Sequence, residues 1–357
     1  MLENTNAIPT PVDIPSLRTG WLRLRQDEPL LRARDVAARL GVSEGELVAS
    51  RCGDGVIRLE GTFADLIRDL PSLGRVMVLT RNDYCVHEKK GQYDNVDASG
   101  SMGIVLAEDI DLRLFFRHWH FGFAVRETSR GRELESLQFF DGDGRAVHKV
   151  YLTEGTDRSA WRALVHRYTA AVQSPLLELV DVADPLPSRR PDAEVNVDSL
   201  RDGWRALRDP HDFFALLKRH QTTRTQALRL VGDEFAQRVD NGSMRSMLEG
   251  AAATEVPLMI FVGSPGVVQI HTGPVKNIKV ADPWLNVLDE GFNLHLREGR
   301  IVESWVVRKP VPEGVVTSLE LYAEDGTQIA QVFGKRKPGV PERDDWRALL
   351  AGLERVS

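Results

Sequence analysis

Two cysteines, Cys52 and Cys85, are all that 357 residues contain, and neither lies in a CxxC pair or a Cys/His zinc pattern. No disulfide framework or structural zinc site is indicated, and a reducing compartment fits. Excess positive charge is missing too. Lys and Arg number 46 against 52 Asp and Glu, a net charge of −6, so there is no general electrostatic footprint for nucleic acid or an anionic membrane. Apolar runs such as Leu258 to Val262 are far too short to span a bilayer, and no membrane insertion is expected. The amino terminus, MLENTNAIPTPVDIPS, lacks a basic segment followed by an apolar stretch. A dinucleotide-binding glycine fingerprint is absent as well. Together these absences predict a soluble, cytoplasmic protein with a small or locally bound partner. With 42% hydrophobic and 27% charged residues, the chain can bury the cores of two ordinary domains.

What the chain does have is a repeat. Laid on itself at a separation of 182 residues, RNDYCVHEKKGQYDNV (Arg81 to Val96) falls on GSPGVVQIHTGPVKNI (Gly263 to Ile278), matching Val86 to Val268, Gly91 to Gly273 and Asn95 to Asn277. The same separation lays IDLRL (Ile110 to Leu114) on FNLHL (Phe292 to Leu296), both alternating as half-buried strands do. LQFFDGDGRAVHKVY (Leu137 to Tyr151) overlies LELYAEDGTQIAQVF (Leu319 to Phe333), with Asp143-Gly144 and Asp325-Gly326 in register. Asp-Gly readily takes the positive φ of a tight hairpin turn, so each copy reads as strand, turn, strand. Gly20-Trp21 matches Gly203-Trp204, and Trp161 matches Trp346, once small loop insertions are allowed.

Each copy therefore begins with helices, continues as an antiparallel meander and closes on a helix carrying a tryptophan. The fold class is α+β with an internal duplication, in which helices pack against antiparallel sheets; a doubly wound parallel sheet is not expected. The first module is placed at 1–184 and the second at 200–357. Between them the proline-rich, charged segment 185–199 reads as a linker.

Asymmetry between copies is informative, because a residue needed only for the shared fold should often recur in both. The clearest asymmetric segment is RDPHDFFALLKRH (Arg208 to His220). Asp209 is a good N-cap and Pro210 suits the first helical position, which puts His211 in the first turn. A histidine held there beside Phe213 and Phe214 suits an axial metal ligand, whose aromatic neighbours can cover an apolar macrocycle. By composition alone, most histidines so placed are capped, solvated or packed. Arg224, at the next helix start, and Lys309, after a strand, are ordinarily exposed. Met259, Phe261 and Phe333 read as core positions.

The chain resembles the HemS/ChuS/PhuS family of bacterial haemin transport and haemin-degrading proteins over nearly its whole length. The motifs that carry the resemblance are TRNDYCVHEKKG (Thr80 to Gly91), DIDLRLF (Asp109 to Phe115), DPHDFFALLKRH (Asp209 to His220), QIHTGPVKN, NVLDEGFNLHL, VRKP and DGTQIAQVFGKRKPG. The family fold is a duplicated α+β module whose two large antiparallel sheets form a saddle flanked by helices, with haem in the second half. The resemblance implies His211 as the iron's axial ligand, Arg224 and Lys309 near the propionates, and Met259, Phe261, Gln331 and Phe333 lining the pocket. Some members carry a distal arginine in the loop before the DLRLF strand; here that loop is Ala107-Glu108-Asp109, which leaves the sixth ligand open. His87 is expected to be structural or exposed, with a secondary haem contact as the alternative.

Two functions follow from the resemblance. One is a cytoplasmic haem carrier of haem uptake and iron acquisition, which accepts haem after import and delivers it to a haem oxygenase or a storage pool. Its partners would be that oxygenase or a reductase, and the inner-membrane haem importer. The alternative is a haem-degrading enzyme that opens the porphyrin ring and releases iron with an external reductant. No catalytic residue is assigned.

Overall fold

The computed structural model describes residues 13–129, 131–180, 189–209, 212–337 and 339–356. Both halves run through one order of elements. The first half consists of α1 (Ile14–Asp27), α2 (Ala33–Leu40), α3 (Glu44–Ala49), β1 (Val56–Leu59), α4 (Phe63–Asp69), β2 (Gly74–Arg81), β3 (Cys85–Gly91), β4 (Val96–Ser99), β5 (Met102–Leu106), β6 (Asp111–Phe115), β7 (Phe121–Ser129), β8 (Arg132–Phe140), β9 (Ala146–Thr156) and α5 (Arg158–Tyr168). The second half repeats that order as α6 (Val197–Arg205), α7 (Asp212–His220), α8 (Arg224–Val231), β10 (Ala236–Val239), α9 (Ser243–Thr254), β11 (Leu258–Ser264), β12 (Val267–Gly273), β13 (Ile278–Ala281), β14 (Trp284–Leu288), β15 (Phe292–Leu296), β16 (Glu303–Val311), β17 (Gly314–Tyr322), β18 (Gln328–Gly334) and α10 (Asp344–Ala351). The Asp-Gly turns behave as their sequence predicts: Gly144 and Gly326 have φ of 75° and 81°, and each donates its N–H to the residue three before it, Asp141 and Ala323.

The strands form two nine-stranded antiparallel sheets, and neither sheet belongs to one half. The first has the order β1-β7-β8-β9-β2-β3-β15-β14-β13 and the second β10-β16-β17-β18-β11-β12-β6-β5-β4. Each half thus lends a three-strand meander to the sheet of the other. The junctions are regular ladders, Asn293 to Leu296 against Cys85 to Glu88 and Leu112 to Leu114 against Val267 to Gln269.

Alternation explains how one meander serves two masters. On β6, Leu112 and Leu114 are fully buried, while Asp111, Arg113 and Phe115 are only half-buried. The buried set packs with Val76, Val78, Val150 and Trp161 of its own half, and the other set extends the open face of the opposite sheet. Leu294 and Leu296 of β15 do the same in the second half, beside Leu258, Ile260 and Trp346. A one-residue slip would reverse both assignments at once, so register is strongly specified.

The helical segments are held by local chemistry as well as by burial. Helices α3 and α8 both open with a capping box, Ser43 with Glu46 and Thr223 with Gln226. Gln226 is fully buried and also donates to the Arg190 carbonyl at 2.7 Å and to Asp192 at 2.6 Å. The described part of the expected linker is therefore tied to the second half. Its Val195 is buried, and α6 begins inside it at Val197.

Where the meanders cross, the interior is polar. His148 is fully buried and sits between the Thr80 hydroxyl at 2.9 Å and the Tyr93 hydroxyl at 2.8 Å. His87, also fully buried, is linked through Nδ1 to Gln269 at 2.7 Å and lies against Phe292. It is thus a structural histidine, pointing away from the open face. Burial holds His148 down at about 3 and His87 well below the ordinary histidine range. Such groups stabilise the fold fully above the unfolded histidine pKa of about 6.5, and their contribution is lost as pH falls below it, because only the unfolded chain takes up the proton. Replacing His148 with Gln is expected to reduce the slope of unfolding free energy between pH 6 and 4 by about 1.4 kcal/mol per pH unit. Urea titrations of both proteins at three pH values measure this, and parallel slopes would contradict it.

Candidate functional site

Helices α6, α7 and α8 cover one end of the open face of the second sheet. Trp305, Val307 and Tyr322 of that face pack with Leu200, Trp204, Phe213, Leu216 and Leu228 of the helices. Beyond the helices the face continues through β18 and β11. The pleat puts Gln331 and Phe333 of β18 there, with Met259 opposite Phe333 and Phe261 opposite Gln331. All four are half-buried, and the Phe261 and Phe333 rings meet edge to face at 5.2 Å between centroids. They form an apolar plate with one amide on it.

At the border of helices and plate sits Glu320, fully buried on β17. Arg224, at the start of α8, reaches down and grips it with two bonds, Nε to Oε2 at 2.8 Å and Nη2 to Oε1 at 2.7 Å. Lys309 donates to Oε1 at 3.2 Å, Gln331 at 2.7 Å and Ser318 at 2.9 Å, and the Tyr322 hydroxyl donates to Oε2. Phe213 of α7 lies against both cations, 4.7 Å from Lys309 Nζ and 5.1 Å from the Arg224 guanidinium.

The electrostatics follow from that arrangement. Burial opposes ionisation of Glu320, but Arg224 and Lys309 outweigh it and hold its carboxyl well below the usual carboxylate range. Burial pushes Lys309 down to about 8 even with Glu320 beside it. Two cations around one carboxylate leave the border of the plate with a net positive charge. Arg224 is the more accessible of the pair, with 28% of its side chain exposed against 4% for Lys309.

Arg224, Met259, Phe261, Lys309, Gln331 and Phe333 are thus brought together on one face. His211 lies outside the described residues; the helix that follows it begins at Asp212 and sends Phe213 onto the cation pair. Sequence reasoning missed Glu320, Ser318 and Tyr322, whose polarity reads as ordinary strand alternation. It also missed Arg113. In the ladder, Gly263 of β11 lies opposite Val268 of β12, which lies opposite Arg113 of β6. The arginine therefore projects from the same face as Phe261, two strands or about 10 Å across the sheet from Gly263. Its guanidinium pairs with Asp111 and donates to the Leu112 carbonyl at 3.2 Å. The loop 107–109 supplies no arginine, but the strand after it does. Only knowledge that β6 joins the other half's sheet could have placed it there.

Fold and face together define a class: a duplicated α+β protein with an amphipathic cleft between a three-helix cap and a nine-stranded sheet, suited to a flat apolar ligand that carries negative charge. The model of the haemin-degrading HemS/ChuX domain matches residues 41–168 and again 221–353, and the chain belongs to that family. The hemin transport protein HmuS of Yersinia pestis is 43% identical over 339 residues, covering 95% of this chain and 97% of the relative. Holo-PhuS, a haem-binding protein from Pseudomonas aeruginosa, matches with a TM-score of 0.94 and 50% identity, covering 97% of this chain and 100% of that one. ChuS, described as an E. coli haem oxygenase, matches with a TM-score of 0.86 and 40% identity over 95% of this chain and 99% of that one.

The Glu320 bridge yields a direct test of what ties helices to sheet. Glu320→Gln leaves two cations facing each other in a buried site, and breaking such a pair costs about 3–5 kcal/mol. Chemical denaturation of the ligand-free variant should show a loss of that size; a variant as stable as the parent would mean that the bridge contributes nothing.

Proposed function

We propose that this protein binds haem in the cleft of the second half and acts as a haem carrier in bacterial iron acquisition. The observation that carries the reading is the cation pair of Arg224 and Lys309 set beside the plate of Met259, Phe261 and Phe333. A porphyrin needs both: apolar side chains that take its faces out of water, and cations that offset its propionates. Gln331 adds a donor on the plate. His211 is the proposed iron ligand. In the sequence it immediately precedes the helix whose Phe213 touches the cation pair. Neutral imidazole is a good iron ligand.

Carriage also requires release. Glu320 cancels one of the two positive charges permanently, so the propionates meet a net charge of one and a partly exposed guanidinium. The carrier reading places the protein in the cytoplasm, where it accepts haem from an inner-membrane importer and passes it to a haem oxygenase or storage pool. Among the described residues no helix is long and apolar enough to cross a membrane.

A second reading is supported by Arg113. Ring opening needs an external reductant, an accessible distal face and a hydrogen-bond donor there. The Arg113 guanidinium, on the same face of the sheet as Phe261, is such a donor.

His211→Ala is expected to shift or abolish the ferric haem absorption spectrum while the far-ultraviolet circular dichroism stays unchanged; an unaltered haem spectrum removes the ligand assignment. Haem-loaded protein given a reductant, with catalase present to remove free peroxide, separates carrier from enzyme. Intact haem is the expected result for a carrier, and formation of an open-chain tetrapyrrole that is lost in Arg113→Ala would establish the enzyme instead.

A further inference from the structure

The open face of the first sheet is hollow as well. Beneath α1, α2 and α3 it encloses about 940 Å³, with His295 of the exchanged strand β15 on its far side, and forms the counterpart of the cleft just described. A different hollow of the first half lies on the opposite face of that sheet, where α5 packs across β1 and β7. It measures about 480 Å³, inside the range of small-molecule pockets, roughly 300–1,000 Å³. Ile57 and Ala124, cross-strand partners on β1 and β7, line it from the sheet, and Trp161 and Val165 line it from the helix.

The repeat shows where the space comes from. In the second half Val306 stands at the place of Ala124 and Leu350 at the place of Val165, and both are core residues, 2% and 5% exposed. The first half has the smaller residue at both positions, although protein interiors ordinarily close up around such losses of volume. One end of the groove is shut where the chain after α5 pairs with β1: Leu59 and Thr169 form a bridge, and Ala170 donates to the Arg58 carbonyl at 2.9 Å.

The charge at the other end is also particular to this half. Arg126 and Arg162 line the groove there, and each has an arginine counterpart, Arg308 and Arg347. Arg308 is held by Gln237 Oε1 and the Asp233 carbonyl, both at 3.2 Å, and Arg347 by Glu342 at 3.2 Å. Ile57 stands where β10 has Gln237, so Arg126 lacks that acceptor. It pairs with Glu135 at 3.1 Å, a carboxylate also bound by Arg158, and 66% of its side chain stays exposed. Arg162 is exposed near the start of α5. An apolar interior thus meets a rim on which guanidiniums outnumber carboxylates.

We propose that this groove is a binding site for an amphiphile with an aliphatic chain and one carboxylate, the chain lying between β1 and α5 and the carboxylate meeting Arg126 and Arg162. Apart from Trp161 the apolar lining is aliphatic, and a groove between a strand pair and a helix admits a chain more readily than a plate. Burial of methylenes supplies the affinity, and the planar donor fork of a guanidinium selects the head group. The site stands apart from the haem reading, since it shares no residue with the second-half cleft.

Dodecanoate brominated at its terminal carbon tests this on the full chain, because bromine quenches an indole that it touches and Trp161 lines the groove. The wild type should bind one equivalent and lose part of its tryptophan emission. Ala124→Val/Val165→Leu, which installs the residues that the second half carries at the same places, should abolish that quenching while the circular dichroism stays unchanged. Arg162→Gln, on the surface, should weaken the acid about 10-fold and leave the matching brominated alcohol unaffected. Quenching that persists undiminished in Ala124→Val/Val165→Leu places the acid elsewhere and overturns the site. An alcohol that binds the wild type as tightly as the acid overturns the choice of head group, and a wild type whose emission does not respond overturns the proposal outright.

Discussion

The exchange of three-strand meanders is the constraint from which the rest of the molecule follows. Strands β4 to β6 and β13 to β15 must satisfy two sheets at once, with one face buried in their own half and the other spread on the neighbour's. Strict alternation is the only strand pattern able to do that, and DLRLF and FNLHL have it. The exchange also makes each open face composite. Its plate and helical cap come from one half, and its far side, with Arg113 or His295, comes from the other. A repeat that had merely placed two domains side by side would have left each cleft with a single wall.

Given that shared frame, the two clefts differ through charge. In the second half the buried carboxylate is on the sheet, at Glu320, and the cap supplies the guanidinium of Arg224. In the first half the signs are exchanged: Glu44 of α3 is the buried carboxylate, and the sheet supplies Lys149 at 2.5 Å together with Arg81. Burial opposes ionisation of Glu44, yet Lys149 and Arg81 hold it down at about 2. Either polarity clamps the cap to the sheet. They differ in what they leave over. Each bridge sets one carboxylate against two cations, but the first-half face carries Arg25, Arg32, Lys90 and Arg132 besides.

Much of this was legible in the sequence, because repeats, alternation and Asp-Gly turns are local signals. The order of elements, the antiparallel class, the tryptophan on each closing helix and the gathering of Arg224, Met259, Phe261, Lys309, Gln331 and Phe333 all follow from residues within short windows or from family resemblance. Partner choice between strands is not local. Nothing in DLRLF says that β6 pairs with β12 of the other half, so Arg113 reads as an ordinary strand residue until that pairing is known. Glu320 was illegible for a different reason. In a strand reading SLELY, a glutamate is the ordinary outward residue until a helix 96 residues earlier in the chain sends an arginine to meet it.

The second sheet continues past its helical cap into the borrowed strands β6, β5 and β4, which broaden its open face. Met102, Ile104 and Leu106 of β5 extend that face outward, and they are 57%, 38% and 50% exposed. Exposed apolar side chains in a continuous row are costly to keep in water and are uncommon unless something lies on them. They stand on the second sheet although the first half encodes them. The residues that extend the second half's plate are therefore encoded before that half, and neither half alone supplies the whole face.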